Sequence, residues 1–407
     1  MNRLEPKRTV MVIGYNVRPI ACLAKQLGFR VVAVDYWGDL DISNCADDLH
    51  TVLQQRPGEQ LKESLDKPSC ELLVDLAEKK NIRKFAKVDF ILVGSGLDDR
   101  PDLWTRLSRI APVLGNSPEQ LKVIRNLSKL FIIARGLGIN CPKTEKANSP
   151  KEAVEIAKGI GFPVVLKPIS GSGGFRIRFA RDPDEVRNHF GGVAGEREGA
   201  WVQEHVKGVD ASSSIIGNGR ECVVVSVNEQ LIGKSELGAS TPFGYCGSIV
   251  PLAADSEVIE RIKMVSSALG KKLGLIGSNG FDFVMGRNNE PYLMEVNPRF
   301  QATLECIRFV TGLNLVREHI SGCCGQLLRN VPEPNGYAVK MIVFAKEKCV
   351  YPDLSKTESA FDISHKDVIV EKGNPICTVQ VAAVEREKAI GRTMAIVSEI
   401  LRRLKPA

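Results

Sequence analysis

Apolar residues in this chain fall into short runs separated by turn residues. Thr9-Val10-Met11-Val12-Ile13-Gly14 is an unbroken run closed by glycine, a helical stretch follows to Leu27-Gly28, and residues 29–34 form a second run ending at Asp35. An unbroken run, unlike an alternating one, suits a strand covered on both faces, as in a parallel sheet. Residues 88–93 supply another such strand, followed by Gly94-Ser95-Gly96 at its carboxyl end. The stretch to about Asn116 therefore predicts an α/β domain of the doubly wound, Rossmann-like kind.

Beyond it the pattern changes. Ser117-Pro118-Glu119 reads as a helix start, with Ser117 placed to cap and Pro118 at the first helical position. A long helix is expected to run through Lys129 to about Leu137, stopped by Gly138. Pro150-Lys151-Glu152 opens a second helix ending near Gly161, and Phe162-Pro163-Val164-Val165-Leu166-Lys167-Pro168 is a strand that ends in a lysine. Near the end of the chain, residues 338–345 and 376–381 are strand-like and residues 386–404 helical. No fixed-period repeat or low-complexity tract interrupts the series.

Composition narrows the classes. With 407 residues, 43% hydrophobic and 25% charged, the chain has the make-up of an ordinary globular protein. At roughly 100–200 residues per domain it holds two to four domains. The 55 basic and 48 acidic residues leave +7, spread along the chain, and aromatic content is 6%. Without a basic stripe or aromatic platforms, nucleic-acid binding is not expected. No apolar run approaches the ~18 residues of a membrane helix, and Asn16, Arg18 and Pro19 interrupt the first run too early for a signal peptide. Eleven cysteines contain no C-x-x-C pair, so reduced, buried thiols in a cytosol are expected rather than zinc, thioredoxin chemistry or a disulfide scaffold. The five histidines are scattered and suggest no metal site. A nicotinamide-dependent oxidoreductase would need a glycine fingerprint after Ile13, but only Gly14 is there, with Asn16 and Pro19 in the other two positions.

Three clusters carry candidate chemistry. Lys167 is followed by Gly171-Ser172-Gly173-Gly174, between that lysine and Arg176 and Arg178; glycines let backbone amides approach phosphate oxygens, although a plain hairpin would look the same. Trp201-Val202-Gln203-Glu204-His205-Val206-Lys207-Gly208-Val209-Asp210 offers a backbone edge for a purine and a carboxylate for ribose, or an edge strand with solvated charges. The third decides between readings. Asp282 lies on one strand of a hairpin, and Glu295 and Asn297 on the other are two residues apart, so both leave the same face. Two carboxylates and an amide oxygen on one face suit a hard cation that holds nucleotide phosphates. Unpaired in a buried strand, such carboxylates would be costly.

In order, Lys129, Lys167, the glycine loop, Gln203-Glu204-His205-Val206, Asp210, Asp282 and Glu295-Val296-Asn297-Pro298-Arg299 resemble the motifs of the ATP-grasp superfamily. The resemblance covers residues 116–330. It implies a Rossmann-like domain over 1–115, a two-lobed ATP-grasp domain over 116–330 with lobes at about 116–200 and 201–330, and a small β-rich C-terminal domain over 331–407, an α/β and α+β fold. Lys129 and Lys167 would contact ATP phosphates, Lys167 also lying near the adenine. Gly171, Ser172, Gly173 and Gly174 would cover the β- and γ-phosphates. Gln203, Glu204, His205 and Val206 would meet the adenine, and Asp210 the ribose. Asp282, Glu295 and Asn297 would bind magnesium or manganese, with Arg299 and Lys167 catalytic. The reaction implied is cytoplasmic activation of a small carboxylate as an acyl phosphate and its joining to an amine, with a homodimer as the assembly the resemblance admits. Biotin carboxylases continue the arginine with glutamine and then a glutamate base. Here Arg299-Phe300-Gln301-Ala302-Thr303 places Thr303 there and Glu305 is out of register, which favours the carboxylate–amine ligase branch over a bicarbonate-dependent carboxylase; a noncatalytic nucleotide-binding module would have lost metal ligands or lysines, and all are present. Residues 234–248 would line the acceptor pocket or form an irregular loop, and Cys246 has no base tied to it.

Overall fold

The computed structural model describes residues 8–61, 69–79, 87–171, 173–195 and 198–407. The first sheet is parallel, with β1 (Thr9–Gly14), β2 (Arg30–Asp35), β3 (Asp48–Thr51), β4 (Phe90–Val93) and β5 (Val113–Leu114) in the order β3-β2-β1-β4-β5. Its residues alternate between two buried faces. Val10, Val12, Val31, Ala33 and Leu92 pack with helix Arg18–Gln26 and with helices Leu304–Thr311 and Leu315–Cys323, whereas Met11, Ile13, Val32, Val34 and Ile91 pack with helices Cys70–Glu78 and Pro101–Leu107. Both faces are apolar because both are covered. Asp35, at the end of β2, turns inward and accepts hydrogen bonds from the amides of Val17 (3.0 Å), Trp37 (2.9 Å) and Gly38 (2.8 Å).

The second sheet is antiparallel: β6 (Thr144–Ala147), β7 (Val164–Pro168), β8 (Arg178–Ala180) and β9 (Ala200–Glu204), ordered β6-β9-β7-β8. Helices Pro150–Ile160 and Pro183–Val193 cover one face through Ala153, Val154, Ala157, Val186 and Phe190. Through β9 this sheet extends to Glu204.

The third sheet holds β10 (Val209–Asn218), β11 (Cys222–Ile232), β12 (Tyr245–Val250), β13 (Ile276–Met285), β14 (Pro291–Asn297), β15 (Tyr337–Phe344), β17 (Ala360–Phe361) and β19 (Pro375–Ala383), ordered β14-β13-β10-β11-β12-β15-β19-β17. It passes without a break through residue 331, since β15 pairs with β12 from Ala338 to Met341. β16 (Cys349–Val350), β18 (Ile369–Val370) and β20 (Lys405–Pro406) form a small separate sheet. Helix Arg386–Arg403 packs Ala389, Val397 and Ile400 into the core beneath β15 and β19.

Two expectations need correction. The long helix through Lys129 is two helices, Pro118–Ile124 and Leu127–Arg135. Ser117 and Gln120 form a capping box on the first, and Asn126 ends it by capping the second, accepting a hydrogen bond from the Lys129 amide at 3.1 Å. Not every cysteine is reduced, either: helix Arg18–Gln26 and the turn at Cys45 lie close enough, Cα to Cα 4.6 Å, for a Cys22–Cys45 disulfide. The other nine cysteines are free thiols. Among the described residues, no helix is long and apolar enough to cross a membrane.

Candidate active site

A cavity of about 470 Å³ lies between the second and third sheets. Its lining contains most of the residues singled out above and draws on seven strands, β7 and β9 to β14. Lys167 stands near the end of β7. Burial pulls its ammonium pKa down, against the attraction of Glu295, Asp282 and Asp210. Gln203 and Glu204 close β9; Gln203 donates to the Thr144 hydroxyl at 3.0 Å, and Glu204 accepts from the Lys143 amide at 3.1 Å. His205 and Val206 follow, with the His205 ring set edge-on to Phe179 at 4.9 Å. Asp210, on β10, has its carboxyl raised by burial, with Lys234 and Lys167 opposing.

The three expected metal ligands come together. Asp282 on β13 is the cross-strand partner of Glu295 on β14, and a bulge beside them turns Met294 as well as Glu295 toward the cavity. The Asn297 amide nitrogen donates to Asp282 Oδ2 at 2.8 Å and to Glu295 Oε1 at 3.2 Å. Burial first, and then the facing Glu295 carboxylate, push Asp282 up to about 8. Burial acts on Glu295 in the same sense, but Arg125 and then Lys167 hold it below the ordinary carboxylate range. The pair therefore keeps one proton at neutral pH. Among the described residues no group of three or more His, Cys, Asp or Glu is gathered as a metal cluster, so the donor set here is two carboxylates and one amide.

The glycine loop lines the cavity through Gly171, Gly173 and Gly174. Gly174 has φ +78°, and a Cβ on it would lie 1.8 Å from the Phe243 carbonyl oxygen, so only glycine fits. The Tyr245 amide donates to the Gly173 carbonyl at 3.2 Å. Ser172 lies outside the described residues. Arg176 turns back to the Ser170 carbonyl at 3.4 Å and does not line the cavity.

Arg299 borders the cavity with each nitrogen engaged: Nε donates to Asp98 at 2.8 Å, and the other two to the Phe300 carbonyl (3.0 Å) and Asn297 Oδ1 (3.4 Å). Lys129 is displaced from expectation; it is exposed on helix Leu127–Arg135 and does not line the cavity. Arg125 takes the cavity position, between the two short helices. Gln230, another residue the sequence did not single out, donates to Asp282 Oδ1 at 2.9 Å from β11. Within residues 234–248, Tyr245 and Ser248 line the cavity and share a hydrogen bond at 2.8 Å, while the Cys246 thiol is buried and raised by that burial.

Thr303 is buried and hydrogen-bonded to the Ser214 hydroxyl at 3.0 Å. Glu305, the next carboxylate along, is taken up elsewhere: Arg18 grips it through two hydrogen bonds of 2.8 Å, and Gln380 donates to it at 2.8 Å.

Residues 129–303 match the ATP-grasp domain family, and this part of the chain is an ATP-grasp domain. An uncharacterised protein of Methanocaldococcus jannaschii is 28% identical over 372 residues, covering 91% of this chain and 87% of that one. The carbamoyl phosphate synthase large chain of Deinococcus radiodurans is 26% identical over 255 residues, 60% of this chain, and the match spans only 24% of that much longer protein. Among solved structures, a biotin carboxylase–β,γ-ATP complex from Campylobacter jejuni superposes with a TM-score of 0.74 at 17% identity, covering 98% of this chain and 91% of that one. At that identity the likeness speaks for the fold.

Proposed function

We propose that this chain is an ATP-dependent ligase that activates a carboxylate as an acyl phosphate and joins it to an amine, releasing ADP and phosphate. The observation that carries the reading is the facing Asp282–Glu295 pair, bridged by Asn297 in a cavity that also presents Lys167, Arg125 and Arg299. Two carboxylates and an amide suit a hard dication, magnesium or manganese, which would replace the proton the pair now holds. Magnesium bound there supplies charge neutralisation on nucleotide phosphate oxygens.

The rest of the lining fits a nucleotide. Val165, Ile177, Phe283 and Met294 give an apolar slot beside the Glu204–Val206 edge for adenine, with Asp210 in reach of a ribose. Lys167, Arg125 and the glycine loop then face the phosphates, Arg125 taking the part that the resemblance had given to Lys129. A substrate carboxylate oxygen attacks the γ-phosphorus and ADP leaves. An amine next attacks the acyl carbon, phosphate leaves, and the amine's proton passes to it or to water. Lys167 and Arg299 hold the developing phosphoryl charge, so positioning and electrostatics carry the catalysis.

The biotin carboxylase-like fold also admits a bicarbonate-dependent reading. Against it, Thr303 is bound to Ser214, and Glu305 is held by Arg18. Neither stands as a free base. The test is ADP and phosphate release with magnesium across a panel of carboxylates, each with amines or with bicarbonate. We expect ADP release that requires an organic carboxylate; release that depends on bicarbonate alone would overturn the amine-ligase reading.

A further inference from the structure

We infer that Asp99, contributed by the first α/β sheet, is a positioning residue for the phosphate-binding groups of the ATP-grasp cavity; the inference rests on the ATP reading above. Asp99 lies in the loop that leaves the carboxyl end of β4, outside residues 129–303. Its Oδ1 accepts from Arg125 Nε at 2.6 Å, and its Oδ2 from Arg125 Nη2 at 3.3 Å and from the Gly171 amide at 2.9 Å. Arg125 Nη2 also donates to the Gly171 carbonyl at 3.2 Å, which closes a ring of three residues. One carboxylate thus fixes both a cavity guanidinium and the first glycine of the loop.

Arg125 and Gly171 line the cavity and Asp99 does not. The carboxylate therefore holds these groups from outside and leaves the anion's place open. The neighbouring Asp98 does the same for Arg299 from the same loop. The first sheet, although it lacks a dinucleotide fingerprint, thereby becomes a working part of the nucleotide site.

The experiment is equilibrium binding of MgATP and of adenosine, each competed against a fluorescent ATP analogue. Asp99→Asn keeps the shape and removes the charge. We expect MgATP binding to weaken about tenfold, the scale of a lost charge-assisted hydrogen bond, while adenosine binding stays as in the wild type. A general loss of structure would weaken both ligands. Arg125→Lys keeps the charge but loses the two-pronged geometry, so it should reproduce the MgATP loss, and the double variant should be no weaker than either single one. Unchanged MgATP affinity in Asp99→Asn, equal losses for both ligands, or additive effects in the double variant would each overturn the inference alone. A wild-type protein that binds no MgATP would overturn the ATP reading and this inference together.

Discussion

At the scale of single residues, the site turns on two carboxylates that cannot both be charged without a partner. Glu295 keeps its charge because Arg125 and Lys167 face it, and Asp282 gives its charge up. Glu295→Ala removes one prospective ligand and the repulsion on the other. We expect it to lower ATP-dependent turnover, read as ADP release, at least about 100-fold, with the circular dichroism spectrum unchanged; retained ADP release would count against the site. Gly174→Ala tests the loop. The new methyl meets the Phe243 carbonyl in a left-handed backbone, so MgATP affinity and melting temperature should both fall, by roughly 1–3 kcal/mol in stability. Glu295 and Asn297 were legible in the sequence because a two-residue spacing on a strand admits only one face. Arg125 was not, since the reading assumed one continuous helix. The Asn126 cap resets the helical phase, putting Lys129 outside and Arg125 inside. Gln230 was also invisible, because nothing in its own strand announces that β11 lies two strands from β13 with β10 between them.

At the scale of elements, the strands and most helices were legible from apolar runs and from Gly and Pro punctuation. Pairing was not, because the register of β15 on β12 joins residues some 90 positions apart and leaves no local trace. The same holds for helix Leu315–Cys323, whose His319 lies between the first and third sheets. Its Nδ1 accepts from the Ser278 amide at 2.9 Å, its Nε2 lies 3.3 Å from the Leu114 carbonyl, and its ring lies against Phe300 at 4.5 Å. Burial lowers His319 to about 4, so it stays neutral in the fold at a pH where the unfolded chain, near 6.5, takes up a proton. Its contribution is complete above pH 6.5 and is lost as pH falls toward 4, a difference of about 3 kcal/mol. In urea denaturation at a series of pH values, His319→Gln should lose less stability than the wild type between pH 7 and 4. Parallel losses would mean that His319 does not titrate as its burial implies.

At the scale of the whole molecule, one of the ties between the first sheet and the rest is a buried charge network around one residue that the sequence presented only as an interruption of an apolar run. Arg18 sits at the start of helix Arg18–Gln26, almost fully buried. It bonds both oxygens of Glu305 at 2.8 Å and Asp362 Oδ1 at 2.6 Å, and lies 3.3 Å from Asp41. These partners come from the first domain, from helix Leu304–Thr311 and from the closing segment, so one guanidinium ties three regions together. Against their burial, Arg18 holds both Glu305 and Asp362 below the ordinary carboxylate range. Depressed carboxylates stabilise the fold above about pH 4 and lose that contribution as pH falls. Arg18→Met leaves the same acids buried without their cation, which should cost about 3–5 kcal/mol at pH 7. In the variant, burial outweighs the remaining pull of Lys340 and raises these pKa values, so acidification relieves it while it weakens the wild type. The stability gap measured by urea denaturation should therefore narrow steadily from pH 7 to pH 3. A gap that stayed constant over that range would show that Arg18 acts by packing on the Phe361 ring, 4.9 Å from its guanidinium carbon, and not by charge.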